Sequence, residues 1–319
     1  MRYRVRHDTA YEYGNDVVHS HQLLHLVPRP SPFQECLEHS VRIQPEVFNR
    51  RDEVDVFGNP MTRVEFEHAH RRLDVSSVME VDVHPRPAVA AADTLPWEQV
   101  RDSLAYITGR WPSRDVLDAC RFRHESPYVR VKQAYKDYGD ECFEPGRPVL
   151  ACAEALMQKL HRDMKYAPGE TSIATPLSEV LENRRGVCQD FAHLMIACLR
   201  ARGLAARYVS GYIRLRPAAM PTEDCGESNT TEVARVGGAS PEPQLDWVGT
   251  GASHAWVSVY SPPFGWLELD PTNNVHVGTD HIAIAWGRDF GDVSPLRGVI
   301  LGGGTHTLSV CVTVEPQED

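Results

Sequence analysis

The segment RGVCQDFAH (Arg185–His193) places a cysteine, Cys188, at the start of a predicted helix. The helix runs from about Val187 to Arg202 and ends at Gly203, because glycine readily adopts the left-handed conformation that closes helices. A thiol attacks as its thiolate, and a helix N-terminus offers partial positive charge for an anion and N–H groups for a developing oxyanion. The segment therefore predicts that Cys188 is a nucleophile.

A histidine and an aspartate follow in two predicted strands. His254 opens the strand HAWVSVY (His254–Tyr260), and Asp270 closes the strand WLELD (Trp266–Asp270) after a turn rich in Pro and Gly. If these strands pair as a hairpin, positions 254 and 270 lie within one or two residues of register at the same end of the sheet. The aspartate can then accept the imidazole N–H, fix its tautomer and stabilise the imidazolium. Together the elements predict a Cys188–His254–Asp270 triad.

The rest of the chain divides by its pattern of apolar residues. The first 85 residues alternate apolar and polar side chains, as half-buried antiparallel strands do, and helical spacing begins after a Pro- and Ala-rich stretch. We predict an α+β protein with an antiparallel β-sandwich-like domain at 1–85, a linker at 86–96 and a core at 97–319. In this core the catalytic helix packs on an antiparallel sheet. The polar stretch at 217–251 is predicted to be a surface loop beside the site and a candidate lid.

Composition restricts the partners of the protein. The chain has 319 residues, 42% of them hydrophobic, and a net charge of −11, with no run of Lys or Arg that would attract nucleic acid or an anionic membrane. It shows neither an apolar signal region nor a stretch of about 18 uncharged apolar residues, which favours a cytoplasmic protein. The eight cysteines form no Cys-x-x-Cys pair, and no Cys/His cluster has zinc spacing. We therefore expect no metal, no cofactor, and no nucleic-acid or membrane partner.

Four motifs, in this order along the chain, resemble those of bacterial transglutaminase-like proteins, a branch of the papain-like superfamily often described as predicted cysteine proteases. The resemblance covers nearly the whole chain, because the β-rich start is similar to the characteristic N-terminal region of these proteins. It implies a papain-like, transglutaminase-type core with a catalytic triad at Cys188, His254 and Asp270, but it does not by itself imply protein cross-linking. The motifs are Arg184–His193, Ala205–Tyr212, Ser253–Trp256 and Asp270–Asn274, and Gly287–Val293 also fits this branch.

Several neighbours of the triad are candidates for roles around the site. Gln189 is a candidate for holding the oxyanion or the substrate. The general architecture of the resembling family makes Tyr166 a candidate oxyanion donor. Trp256 either packs in the core or forms a wall of the substrate pocket. Asn273 and Asn274 either extend the hydrogen bonding of the triad aspartate or shape a turn.

Two enzymatic functions use the same triad. In a peptidase or amidase, water releases the acyl group from a thioester on Cys188, whereas in a transglutaminase a Lys side chain or a polyamine does so. We favour hydrolysis of a peptide or protein amide, because water is always present and the sequence shows no evident amine site. A second alternative is a non-catalytic peptide-binding or assembly protein with this fold, against which the intact triad argues. The sequence makes no prediction of oligomeric state.

Overall fold

The computed structural model describes residues 1–105, 112–214 and 252–317. The predicted polar loop at 217–251 lies outside these residues. The strands are β1 (Arg2–Leu24), β2 (Gln34–Gln44), β3 (Asn49–Val54), β4 (Pro60–Phe66), β5 (His70–Val83), β6 (Lys165–Tyr166), β7 (Arg185–Gly186), β8 (Ala206–Ile213), β9 (His254–Ser261), β10 (Gly265–Asp270), β11 (Val275–His276), β12 (His281–Gly287), β13 (Leu296–Gly302) and β14 (His306–Gln317). The helices are α1 (Trp97–Ser103), α2 (Arg114–Cys120), α3 (Gln133–Tyr138), α4 (Val149–Asp163), α5 (Leu177–Asn183), α6 (Cys188–Ala201) and α7 (Phe290–Val293), with short 3₁₀ helices at Ala91–Asp93 and Asp140–Cys142.

The N-terminal sheet is built around the long strand β1. The first half of β1 pairs with β5 and β14, whereas its second half pairs with β4 and β13, and β2 and β3 extend the sheet beside β5 and β4. A register shift between Glu12 and Val17 marks the place where β1 changes neighbours. All these pairs are antiparallel, and buried side chains such as Tyr3 and Val5 alternate with exposed arginines. The predicted antiparallel N-terminal domain is confirmed, and its sheet is curled.

Two strands from the end of the chain complete this sheet. β13 and β14 both pair with β1, so that Leu24 lies opposite Leu296 and Arg2 lies opposite Gln317. The sequence prediction assigned residues 97–319 to one core, whereas residues 296–317 pair within the N-terminal sheet. An alternating pattern identifies a strand, but it carries no information about which sheet supplies the backbone partners of that strand.

The core contains a five-stranded antiparallel sheet in the order β11-β10-β9-β8-β12. Helix α6 packs on β8 and β9, and α3, α4 and α5 pack against its other sides. Nearly every side chain from Cys188 to Arg200 is buried, which is typical of a helix at the centre of a core. The predicted core, with the cysteine-bearing helix packed on an antiparallel sheet, is confirmed.

The ends of α6 follow from local chemistry. The helix begins at Cys188, one residue after the predicted start, and the chain leaves it at Gly203, whose φ of 79° lies in the left-handed region. α6 is 14 residues long, and none of the helices in the described ranges is long and apolar enough to span a membrane.

Candidate active site

Cys188 is held at the start of α6 by a tight turn. The residue is 9% exposed, and its Sγ lies 3.9 Å from the carbonyl oxygen of Ser253. A Cβ added to Gly186, two residues earlier, would lie 2.5 Å from Oδ2 of Asp190, so this close approach requires glycine. The turn therefore delivers Cys188 to the beginning of β9, where His254 is the first residue.

Asp190 stabilises this turn from within the first turn of α6. Its Oδ2 accepts hydrogen bonds from the backbone N–H of Val187 at 2.8 Å and from the hydroxyl of Thr171 at 2.7 Å. Burial raises the pKa of Asp190, and the hydrogen bonds from Thr171 and Val187 oppose that rise. The contact with Thr171 ties the loop between β6 and α5 to the helix that carries Cys188.

Tyr166 lies beside the same turn. In the parallel pair of β6 and β7, Tyr166 is opposite Gly186, and the N–H of Ala167 donates to the carbonyl of Gly186 at 2.9 Å. Burial, and to a smaller extent the charge of the nearby Cys188, raises the pKa of Tyr166 to about 12. The phenol therefore keeps its proton near Cys188, and its role as an oxyanion donor stays a prediction.

His254 and Asp270 meet at one end of the core sheet. β9 and β10 form the expected hairpin with Leu269 opposite Val257, so Asp270 lies two residues from the register of His254. The Nε2 atom of His254 is 2.8 Å from Oδ2 of Asp270, and both side chains are fully buried. Burial acts to lower the pKa of His254, but Asp270 and then Cys188 outweigh it and raise this pKa.

The carboxylate of Asp270 accepts hydrogen bonds on both oxygens. Oδ1 accepts from the backbone N–H groups of Thr272 at 2.9 Å and Asn273 at 3.2 Å. Oδ2 accepts from Nδ2 of Asn273 at 2.8 Å and lies 3.3 Å from Nε2 of His281, in addition to His254. Burial acts to raise the pKa of Asp270, but the charges and hydrogen bonds of His254 and His281 lower it. The ionised aspartate can therefore orient the imidazole and stabilise its charged form.

The second ring nitrogen of His254, Nδ1, is the atom available for chemistry. It is buried, and it is the ring nitrogen that Asp270 does not engage. Hydrogen bonding with the side chain of Cys188 and the charge of that side chain both contribute to the raised pKa of His254, so the thiol lies next to the ring. Because Asp270 engages Nε2, Nδ1 can exchange a proton with the thiol, and such catalytic hydrogen bonds often tighten only when substrate binds.

The remaining candidates differ in what surrounds them. Trp256 is fully buried, and its Nε1 donates to Oε2 of Glu268 at 2.9 Å, so it takes the core-packing role and is not exposed as a pocket wall. Gln189 is half-buried directly after Cys188, and its role in binding the oxyanion or substrate stays a prediction. Of the two roles predicted for Asn273 and Asn274, which are hydrogen bonding to the triad aspartate and shaping a turn, each residue takes one. The first donates to the triad aspartate, and the second, with a φ of 54°, shapes the turn.

Sequence reasoning did not single out Thr171 or His281. Thr171 reaches Asp190 from a loop, and His281 reaches Asp270 from a strand that is not adjacent to β10 in the sheet. Neither residue belongs to a local motif, so no sequence signal marks them. Within residues 1–105, 112–214 and 252–317, no group of three or more His, Cys, Asp or Glu side chains is arranged to hold a metal ion.

The fold and these contacts define an α+β protein in which a helix-borne cysteine lies beside a sheet-borne His–Asp pair. Residues 3–82 match the bacterial transglutaminase-like N-terminal region, and residues 136–271 match the transglutaminase-like superfamily. The chain belongs to the transglutaminase-like superfamily and carries the bacterial transglutaminase-like N-terminal region.

Several known proteins are similar to this chain. An uncharacterized protein of Mycobacterium tuberculosis is 36% identical over 99% of this chain and 93% of its own length. An uncharacterized protein of Mycobacterium leprae is 30% identical over 98% of each chain. A protein-glutamine gamma-glutamyltransferase of Pseudomonas aeruginosa is 26% identical over 56% of this chain and 24% of its own length. A solved structure described as a "Putative Cysteine Protease" from Cytophaga hutchinsonii shares the fold, with a TM-score of 0.70 and 19% identity over 100% of this chain and 91% of that chain.

Proposed function

We propose that the protein is a thiol-dependent hydrolase of peptide or protein amides that forms a thioester on Cys188. The observation that carries this proposal is the buried His254–Asp270 pair, which lies beside a thiol at the start of a helix. A structural cysteine has no use for an oriented imidazole, and burying an ion pair has a large desolvation cost that a catalytic role would explain. The cytoplasmic location predicted from the sequence is part of the same proposal.

The first half-reaction forms the thioester. His254 accepts the thiol proton, and the thiolate of Cys188 attacks the amide carbonyl to give a tetrahedral oxyanion. The first N–H groups of a helix have no intrahelical acceptor, so the N–H of Cys188 can donate to this oxyanion, and the hydroxyl of Tyr166 is the second donor. The C–N bond then breaks, and the amine leaves with the proton held by His254.

The second half-reaction regenerates the thiol. His254 now accepts a proton from water, which attacks the thioester carbonyl. The C–S bond breaks, the acid product leaves, and the proton returns from His254 to the sulfur of Cys188. Asp270 remains ionised throughout, because it acts by orienting the imidazole and stabilising its charge.

Transfer of the acyl group to a primary amine is the second candidate. It is favoured by the similarity, over 56% of this chain, to the Pseudomonas aeruginosa glutamyltransferase. The two candidates share the first half-reaction and differ only in the nucleophile that releases the thioester.

A product analysis tests both candidates. The wild-type protein is incubated with a peptide amide library, with and without a labelled primary amine, beside Cys188→Ala and the matched control Cys120→Ala. Cys120 is a half-buried cysteine at the end of α2. We expect release of ammonia or amine that falls by more than about a thousandfold in Cys188→Ala and is unchanged in Cys120→Ala. Incorporation of the labelled amine would replace hydrolysis by transfer, and equal activity of wild type and Cys188→Ala would refute both.

A further inference from the structure

β12 is an edge strand of the core sheet, and it pairs with β8 on one side only. Two amide side chains from the N-terminal sheet region bond to its backbone. Gln34 donates from Nε2 to the carbonyl of Ala283 at 2.7 Å, and its Oε1 accepts from the N–H of Ala283 at 2.8 Å. Asn59 does the same at Trp286, donating at 2.9 Å and accepting at 3.0 Å. Gln34 and Asn59 therefore satisfy the edge groups that a neighbouring strand would otherwise pair.

Strand β1 contacts the start of β12 and its neighbour β8 through side chains. The hydroxyl of Tyr3 donates to Asp280, the residue before β12, at 3.3 Å. Nδ1 of His7 lies 2.7 Å from the hydroxyl of Tyr212, and Tyr212 pairs across the sheet with Ile282. Tyr3, His7, Gln34 and Asn59 are all nearly or fully buried, so these contacts are not a solvated surface. They place the N-terminal sheet along β12 on both sides of His281.

His281 is the first residue of β12, and it reaches the proposed triad. Its side chain is fully buried, and its Nε2 lies 3.3 Å from the same Oδ2 of Asp270 that engages His254. The rings of Trp256 and His281 form a T-shaped pair with centroids 5.3 Å apart, and this packing limits the orientations open to the imidazole. A carboxylate held by several donors rotates less, and so it fixes the hydrogen-bonded imidazole of His254 more firmly.

We propose that His281 is a positioning residue for the His254–Asp270 pair, and that the N-terminal sheet holds it in place through β12. The role of the N-terminal region is then mechanical support of the triad at a distance. This inference rests on the proposed function for its kinetic consequence. The positioning of the His254 imidazole beside Cys188 can be tested separately. The reactivity of the Cys188 thiol reports that positioning without any substrate.

Four variants separate positioning from mere packing. His281→Leu removes the donor to Asp270, whereas His281→Gln places an amide N–H where Nε2 of the imidazole stood. His276→Leu is the matched control, since His276 is an exposed histidine on β11, the opposite edge strand of the core sheet, and bonds to Glu154 at 2.9 Å. Gln34→Leu removes both hydrogen bonds between Gln34 and Ala283 of β12.

The measured quantity is the rate at which iodoacetamide alkylates Cys188 at neutral pH, followed peptide by peptide, with Cys36 as the internal reference. We expect His281→Leu to lower this rate about tenfold, because the imidazole less often occupies the position in which it can take the thiol proton. His281→Gln should restore the rate to within about threefold of wild type, and His276→Leu should leave it unchanged. Gln34→Leu should lower it, with no further loss when it is combined with His281→Leu.

Several outcomes would overturn the inference. Equal rates in wild type and His281→Leu would do so, as would equal losses in His281→Leu and His281→Gln at matched melting temperatures. An additive double variant would overturn the route through the N-terminal sheet. If His281→Leu does not fold, His281→Asn replaces it, because the shorter amide does not reach Asp270 and should be slower than His281→Gln. In an amide hydrolysis assay His281→Leu and Gln34→Leu should lower kcat and leave KM within about twofold, whereas His276→Leu should change neither constant. If the variants show the expected alkylation rates but the wild type hydrolyses no amide, the proposed function is refuted and the positioning role of His281 still stands.

Discussion

Tyr166 lies opposite Gly186 in a short parallel pair, two residues before Cys188. This pairing brings a phenol with a raised pKa to the side of the proposed nucleophile, although the two residues are far apart in the sequence. A protonated hydroxyl at this position is suited to donate to an oxyanion that exists only during the reaction.

Removal of that hydroxyl tests its role. We expect Tyr166→Phe to lower kcat about a hundredfold and to leave KM within about threefold, because the donor acts on the transition state and not on the bound substrate. Steady-state kinetics of amide hydrolysis measure both constants. Tyr138→Phe, which loses a hydroxyl bonded to Asp163 at 3.1 Å, is the control for loss of a phenol elsewhere. A change in KM alone would assign Tyr166 to substrate binding.

The turn before Cys188 should tolerate no side chain at position 186. In Gly186→Ala the new Cβ would meet the side chain of Asp190 at 2.5 to 2.8 Å, so the turn must shift. We expect a loss of about 2 kcal/mol in the free energy of unfolding, with a larger fractional loss of Cys188 alkylation than of folded protein. Urea denaturation and alkylation measure the two effects. Gly278→Ala, where no atom lies within 4 Å of the added Cβ, should stay within about 0.5 kcal/mol of wild type.

The ion pair of His254 and Asp270 should make stability depend on pH in a defined window. The raised pKa of His254 stabilises the fold below its ordinary value of 6.5, and this contribution is lost as pH rises through the folded pKa. The lowered pKa of Asp270 stabilises the fold above its ordinary value of 3.8, and this contribution is lost as pH falls through the folded pKa. Both contributions are present together between pH 3.8 and 6.5.

We therefore expect Asp270→Asn to cost about 3 kcal/mol or more in that window, and less on either side of it. Urea denaturation of both proteins across the pH range measures the difference in unfolding free energy. A difference that is constant with pH would show that the pair is not charged in the folded protein.

His7, in contrast, should weaken the fold in acid. Burial, opposed by Asp8, lowers the pKa of His7 to about 4, so the folded protein resists a proton that the unfolded chain accepts below 6.5. Stability should fall by about 1.4 kcal/mol for each pH unit between these values as a result of this residue. His7→Gln should lose less stability than wild type on acidification, while the exposed control His276→Gln should follow wild type. Thermal unfolding at several pH values measures the slopes, and parallel curves for His7→Gln and wild type would contradict the assignment.

The sequence predicted those parts of the site that depend on local patterns. Cys188 could be placed because a glycine-containing turn, a helix start and a helix stop lie within one segment. His254 and Asp270 could be placed because a hairpin fixes the register of its two strands, whatever the rest of the fold does.

What could not be predicted depends on contacts between distant elements. His281 meets Asp270 across the core sheet, and Thr171 meets Asp190 from a loop, so neither contact leaves a periodic signal in the chain. Trp256 had two predicted roles, and only the packing around it, with Glu268 as acceptor of its indole N–H, decides between them. In the same way, no local pattern identifies β1 as the partner of β14, because the two strands lie at opposite ends of the chain.

The pairing of β1 with β13 and β14 also sets an order of assembly. Arg2 of β1 pairs with Gln317 of β14. During synthesis, β1 therefore leaves the ribosome long before β14 has been made. Contacts so distant in the chain form slowly, because a long loop must close before they stabilise anything. In the sequence, the core lies between β1 and β13. It can therefore fold while the N-terminal sheet still has an open edge. A chain cut after β12 would retain every residue of the proposed triad and expose the unpaired backbone of β1 to other strands.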